Sequence, residues 1–308
     1  MRRLSSLALL SVITITSLLK AQEDIIHVET RLVVLYASVA DKNGNLLTDL
    51  PRSAFKVYEN NVEQQIKQFK REDIPVSLGI LIDDSGSMMN KRQKVAAAAL
   101  ALVKASNPKD EVFIVNFNDQ AYLDVPFTNN IDKLQEGLTR IESRGGTAMR
   151  DAISMSIDYM KKEAKLDKKV LLVITDGDDT ASSENLEKLV AKCQRSEVLV
   201  YAIGLLTEEE QRRQKAAKRA LQTLTTASGG VTFLPKDLTS VEQLSLQVAH
   251  EIRNQYLITY SPQIPDDGTF RTIKLVVSGR GNPTARTRTG YYATPEPPTK
   301  KVSQNHQH

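Results

Sequence analysis

Apolar and polar positions alternate in two ways along the middle of the chain. Val76 to Ile82 is a nearly unbroken apolar run, the pattern of a strand covered on both faces. An Ala-rich helical segment, Lys91 to Ala105, follows it. Val112 to Phe117 reads as a second buried strand and Tyr122 to Pro126 as a third at an edge. Ile131 to Ile141 and Ala148 to Lys162 carry helical spacing. Val170 to Thr175 is a strand, Glu184 to Gln194 a helix and Val198 to Ile203 a strand. Glu208 to Thr226 is a long charged helix ended by Gly229-Gly230, and Val231 to Leu234 is a short strand. Thr239 to Glu242 has the T-x-x-E spacing of a capping box, opening a helix with Val241, Leu244, Val248 and Ile252 on one face. Strands alternating with helices predict an α/β fold, a doubly wound, mostly parallel, Rossmann-like sheet covered on both sides. In such sheets the ligand crevice lies beyond the carboxyl ends of the strands.

The flanks read differently. Val28 to Val39 is β-rich, Asp41-Lys-Asn-Gly44 is a turn signal, and Phe55 to Glu59 and Gln65 to Phe69 alternate over short stretches. After Arg253, the segments Gln255 to Tyr260, Thr272 to Val277 and Thr287 to Tyr292 read as strands, with a turn at Asp266-Asp267-Gly268. This predicts a β segment over 22–74, an α/β domain over 75–253, and a second β segment over 254–293. The two β segments are expected to pack into one small flanking β-domain; the alternative is two independent elements. Residues 294–308 are Pro-rich and polar, a tail expected to be disordered.

Residues 1–21 stand apart. Arg2 and Arg3 precede the apolar run Leu7 to Leu19, and Ala21 offers a small residue for cleavage, which reads as a secretory signal peptide. An uncleaved N-terminal anchor is the alternative. Nothing later is long and apolar enough to span a bilayer, so no membrane span is expected after cleavage. The protein is therefore expected outside the cytoplasm, secreted or in a bacterial periplasm or envelope. The 308 residues, 41% hydrophobic and 25% charged, are those of a soluble globular chain. A net charge of +4, with no basic stripe interleaved with aromatics, gives no support to nucleic-acid binding. The single cysteine, Cys193, sits at helical spacing with Leu186, Leu189 and Val190, and reads as a core residue.

Three loops at predicted strand ends carry the candidate chemistry. They are Asp83-Asp84-Ser85-Gly86-Ser87, a D-x-S-x-S pattern; Gly145-Gly146-Thr147; and Asp176-Gly177-Asp178-Asp179. Ser85, Ser87 and Thr147 offer hydroxyl oxygens, and Asp83 and Asp176 offer carboxylates. This all-oxygen set suits a hard cation, Mg²⁺ first, with Mn²⁺ or Ca²⁺ as substitutes. No His or Cys falls in these loops, which argues against zinc. Hydroxyls do not cancel a metal's charge, so such a site favours an outside anion, most naturally an Asp or Glu carboxylate of a protein partner. Asp84 is expected to point away, Asp151 to favour the dipole of its helix, and Asp178 and Asp179 to be solvated. The run Arg212, Arg213, Lys215, Lys218, Arg219 reads as a solvated helix face.

The five residues Asp83, Ser85, Ser87, Thr147 and Asp176 closely resemble the metal-ion-dependent adhesion site of von Willebrand factor type A domains. The likeness covers roughly 180 residues, with the three loops in order within an α/β pattern. It implies that Ser85 and Ser87 ligate the ion directly, Thr147 does so in the ligand-competent state, and Asp83 and Asp176 act mostly through water. It also implies a non-enzymatic binding role; an envelope assembly scaffold and a metal-assisted hydrolase are the alternatives. The flanking stretches Val39 to Gly44, Phe55 to Glu59 and Arg286 to Tyr291 resemble bacterial exported proteins of acidobacterial type that contain a related domain.

Overall fold

The computed structural model describes residues 32–71, 73–139, 143–206, 211–279 and 281–294. The expected signal peptide and the expected tail beyond 294 lie outside the described residues.

The chain enters through four strands, β1 (Val33–Ala40), β2 (Phe55–Glu59), β3 (Val62–Gln64) and β4 (Ile66–Arg71). Asn60 and Asn61 both hold positive φ, giving the two-residue turn that joins β2 to β3. The α/β portion follows with β5 (Val76–Asp83), α1 (Arg92–Ala105), β6 (Glu111–Phe117), β7 (Ala121–Thr128), α2 (Ile131–Thr139) and α3 (Met149–Glu163). It continues with β8 (Lys168–Thr175), α4 (Leu186–Ser196), β9 (Leu199–Gly204), α5 (Gln211–Ser228), β10 (Thr232–Phe233) and α6 (Val241–Arg253). The last strands are β11 (Tyr256–Tyr260), β12 (Phe270–Val277), β13 (Thr284–Arg286) and β14 (Gly290–Tyr292).

The central sheet runs β10-β9-β8-β5-β6-β7. All its pairings are parallel except that of the edge strand β7, which runs antiparallel to β6. Every residue of β5 is buried, as its unbroken apolar run predicts. Successive side chains of β5 face opposite sides. Leu78, Ile80 and Ile82 join α1, α2 and α6 in one core, while Leu81 joins Phe113, Val115 and helices α3, α4 and α5 in another. The sheet is thus doubly wound. Gly79 has to be small: a Cβ there would stand 2.3 Å from the Phe113 ring and 2.5 Å from Leu171. Cys193 is buried in the second core, and burial pushes its thiol up to about 12.

Strands from the two flanks interleave. One antiparallel sheet runs β13-β1-β11-β4 and another β14-β12-β2-β3. Leu35, Phe55, Val57, Tyr256, Ile258 and Tyr291 draw both into one core. Glu59 is buried there with Arg271, and accepts hydrogen bonds from the hydroxyls of Tyr260 (2.6 Å) and Tyr291 (2.9 Å). A second polar cluster ties these strands to the α/β portion. Glu251 on α6 accepts from Ser38 of β1 (2.9 Å) and Tyr201 of β9 (2.9 Å), and pairs with Arg286 of β13.

Two local expectations fail. Of the expected strand Thr287 to Tyr292 only Gly290–Tyr292 (β14) forms, and the strand just before it, β13 (Thr284–Arg286), lies in a different sheet. Between them Thr287 donates its hydroxyl to Tyr36 O (2.9 Å) and Thr289 N–H bonds Ala227 O (3.3 Å), so the chain crosses from one sheet to the other. The capping box at Thr239 does not form. Asp237 Oδ1 takes the N–H groups of Thr239 (2.8 Å) and Ser240 (3.1 Å) and the Thr239 hydroxyl, so the acceptor that orders this turn lies two residues upstream.

Candidate functional site

The site sits at the carboxyl ends of β5 and β8, beside the loop that leads into α3. Asp83 is the last residue of β5 and is fully buried. Its Oδ1 accepts the Ser85 N–H (2.9 Å) and its Oδ2 accepts the Thr175 hydroxyl at the end of β8 (2.6 Å). Burial pushes its pKa above the ordinary range, the Thr175 and Ser85 hydrogen bonds oppose this, and the nearby charge of Asp176 adds to it. From Ser85 a chain of oxygens continues across the crevice. Ser85 Oγ and Ser87 Oγ lie 3.1 Å apart, and Ser87 Oγ donates to Asp176 Oδ1 (2.8 Å). The other Asp176 oxygen pairs with Lys91, the residue before α1.

Thr147 is buried in the adjoining loop. Backbone hydrogen bonds hold its loop against the D-x-S-x-S loop: Gly86 N–H bonds Gly145 O (3.2 Å), and Arg144 N–H bonds Asp84 O (2.9 Å). Asp119, in the turn between β6 and β7, props this loop by accepting the Gly146 N–H (2.7 Å). Gly145 is at φ +74°, and a Cβ there would fall 2.1 Å from the Asp119 carboxylate, so the loop needs glycine at this point. Thr180 closes the far side, taking the Thr147 N–H on its hydroxyl (3.0 Å) while its own N–H bonds Thr147 O (2.9 Å).

Asp84 does point away from the five. Its fully buried carboxylate accepts from Ser143 Oγ (2.9 Å) and Tyr122 OH (3.2 Å), with Arg92 Nη1 3.2 Å away. Asp151 does more than favour its helix dipole, since it also accepts the N–H groups of Ser183 (2.9 Å) and Glu184 (2.8 Å). Asp179 is not a solvated carboxylate. It accepts the Arg150 N–H in the first turn of α3 (2.7 Å) and the Ser182 hydroxyl (2.7 Å), and pairs with the Arg150 side chain. Lys215, Lys218 and Arg219 are exposed. The sequence reading passed over Lys91, Arg92, Asp119, Ser143, Thr175 and Thr180. Asp119 was findable, because it lies in the short turn that follows a strand of the parallel sheet.

Among the described residues no three His, Cys, Asp or Glu side chains stand together to hold a metal ion. The set here is of another kind, with more hydroxyls than carboxylates. Its donors are all oxygen and match a hard ion in chemistry. An octahedral Mg²⁺ with bonds of about 2.1 Å would have neighbouring ligand oxygens roughly 3.0 Å apart, close to the spacings along Ser85, Ser87 and Asp176.

The architecture defines a doubly wound α/β domain with a cluster of polar oxygens at the ends of β5 and β8. The family model for the von Willebrand factor type A domain matches residues 78–178, and the chain carries such a domain. Inter-alpha-trypsin inhibitor heavy chain H4 of Bos taurus is 27% identical over 146 residues, 42% of this chain and 16% of that protein. Integrin alpha-11 of Homo sapiens is 36% identical over 83 residues, 25% of this chain and 7% of that protein. The chain thus spans only a small part of the length of these relatives. The solved von Willebrand factor type A structure from Catenulispora acidiphila aligns with 84% of this chain and 74% of its own at a TM-score of 0.50 and 12% identity, a likeness of fold. Among the described residues no helix is long and apolar enough to cross a membrane.

Proposed function

We propose that this protein is an exported, non-enzymatic binding module whose Asp83, Ser85, Ser87, Thr147 and Asp176 hold a divalent cation, Mg²⁺ by preference, to take an Asp or Glu carboxylate from a protein partner. The observation that carries this reading is the run of oxygens from Ser85 Oγ through Ser87 Oγ to Asp176, anchored at Asp83 through the Ser85 N–H, which draws the D-x-S-x-S loop to the end of β8. The bound ion would supply a positive centre for a partner's carboxylate. Asp83, buried and held by Thr175, fixes the floor of the site; Ser85, Ser87 and Thr147 add oxygen without cancelling charge. The interleaved β strands of residues 22–74 and 254–293 are proposed as one flanking domain, with the binding domain over 75–253.

The test is a calorimetric titration of Mg²⁺, Mn²⁺ and Ca²⁺ into the purified protein beside Thr147→Ala and Asp83→Ala. Saturable one-site binding that both variants lose is the expected result. No binding to the wild type, even with acetate present, would refute the metal site.

A further inference from the structure

Resting on the metal-site reading above, we infer that Lys91 is a resident counter-cation of this site, competing with a divalent ion for Asp176 and making cation uptake depend on an incoming carboxylate. Lys91 is fixed by its backbone at the seam between the D-x-S-x-S loop and α1. Its N–H bonds Met88 O (2.8 Å) and its carbonyl accepts the Val95 N–H (3.1 Å). From there the side chain, 17% exposed, reaches Asp176, whose own side chain is 1% exposed. Both Asp176 oxygens are engaged, one by Ser87 and one by Lys91.

The neighbouring cation does not share this role. Arg92 faces Asp84 on the far side of the loop. Among the described residues, Lys91 is the cation paired with a member of the five. An ammonium is a compact point charge with three rotatable donors on a flexible stem, suited to a small oxygen-lined site.

Charge arithmetic gives the consequence. Ionised Asp83 and Asp176 together carry two negative charges, and the hydroxyls carry none. A dication alone would neutralise that pair. With Lys91 also present, the loaded site carries one excess positive charge in a largely buried place, where charges interact strongly. One carboxylate from outside restores neutrality. Cation and carboxylate therefore bind with positive coupling, each raising the affinity for the other by the same factor.

The experiment titrates Mg²⁺, with and without acetate, into the full chain as wild type, Lys91→Met, Lys91→Gln and Lys91→Arg, with thermal melts to confirm folding. The two neutral variants should bind Mg²⁺ alone roughly tenfold or more tighter than wild type. Acetate should tighten Mg²⁺ binding in the wild type and Lys91→Arg, and much less in the neutral variants. Equal or weaker Mg²⁺ binding by folded Lys91→Gln or Lys91→Met, with wild type binding normally, overturns the role of Lys91 and leaves the metal site standing. Failure of every form to bind overturns the metal site, and the role of Lys91 with it.

Discussion

Removing the Arg92 guanidinium isolates what holds the D-x-S-x-S loop from behind. In Arg92→Met the aliphatic stem keeps its packing while Asp84, fully buried, loses its cationic neighbour. Breaking a buried ion pair from one side typically costs about 3–5 kcal/mol, because the remaining charge is left uncompensated. Two features lower that figure here. Asp84 keeps the hydroxyls of Ser143 and Tyr122, and hydrogen bonds to a charged group contribute about 1.5–3 kcal/mol each. Arg92 is also poorly served in the folded state. It stands 3.2 Å from Asp84 Oδ1, yet its Nε, Nη1 and Nη2 are buried without an aligned hydrogen bond, and burial pushes its pKa down. A net loss of about 2 kcal/mol is expected, read from urea unfolding with an unchanged denaturant slope. The double variant Asp84→Asn, Arg92→Met should recover part of the loss, since Asn still bonds the two hydroxyls and leaves no buried charge. Wild-type stability in Arg92→Met, or no recovery in the double variant, would refute the reasoning and leave the hydroxyls as the sole support of Asp84.

Lys168 gives a pH signature. Burial, opposed by the charges of Asp73, Asp110 and Glu251, lowers its pKa to about 7, while the unfolded chain holds the proton up to about pH 10. The unfolded state therefore binds more protons between these values, and stability rises with pH by up to about 1.4 kcal/mol per unit from about pH 7 to pH 9. Lys168→Met should flatten that slope and be at least as stable as wild type near neutrality, although it gives up the bond to Ile252 O at the end of α6; an unchanged slope in urea unfolding would count against it. Gly230→Ala places a Cβ 2.0 Å from the Val200 carbonyl oxygen. It should cost about 3 kcal/mol or more, seen as a large drop in melting temperature, and a near-wild-type melt would show that β9 and the end of α5 can separate.

Much of this was legible because burial leaves a plain mark on sequence. The apolar run at Val76 to Ile82 could only be a strand covered on both faces, and β5 is buried throughout. Two of the three candidate loops stood at strand ends, where parallel sheets keep their crevices, and the third, Gly145 to Thr147, leads into α3. What escaped depended on neighbours distant in sequence. Asp84 and Asp179 look like any loop carboxylates until Ser143, Tyr122 and Arg92, or Arg150 and Ser182, surround them. At the opening of α6, Thr239 had the right spacing, but Asp237 takes both its N–H and its hydroxyl. Thr287 and Thr289, read as strand, instead bond Tyr36 and Ala227, partners that local alternation does not encode.

The interleaving of the flanks also sets an order of events in folding. Strand β11 lies between β1 and β4, and Gln68 meets Thr259 across 191 residues of chain. Emerging from synthesis, β4 has to wait for the whole α/β portion before its one ladder partner arrives. Such long-range closure is slow, because loop entropy is lost before the contacts form. In the interval β1 and β4 present unpaired edges, the part of the nascent chain most open to wrong pairing. The charges at Lys67, Lys70 and Arg71 on β4 suit that exposure, since like charges along an edge discourage another strand from docking there.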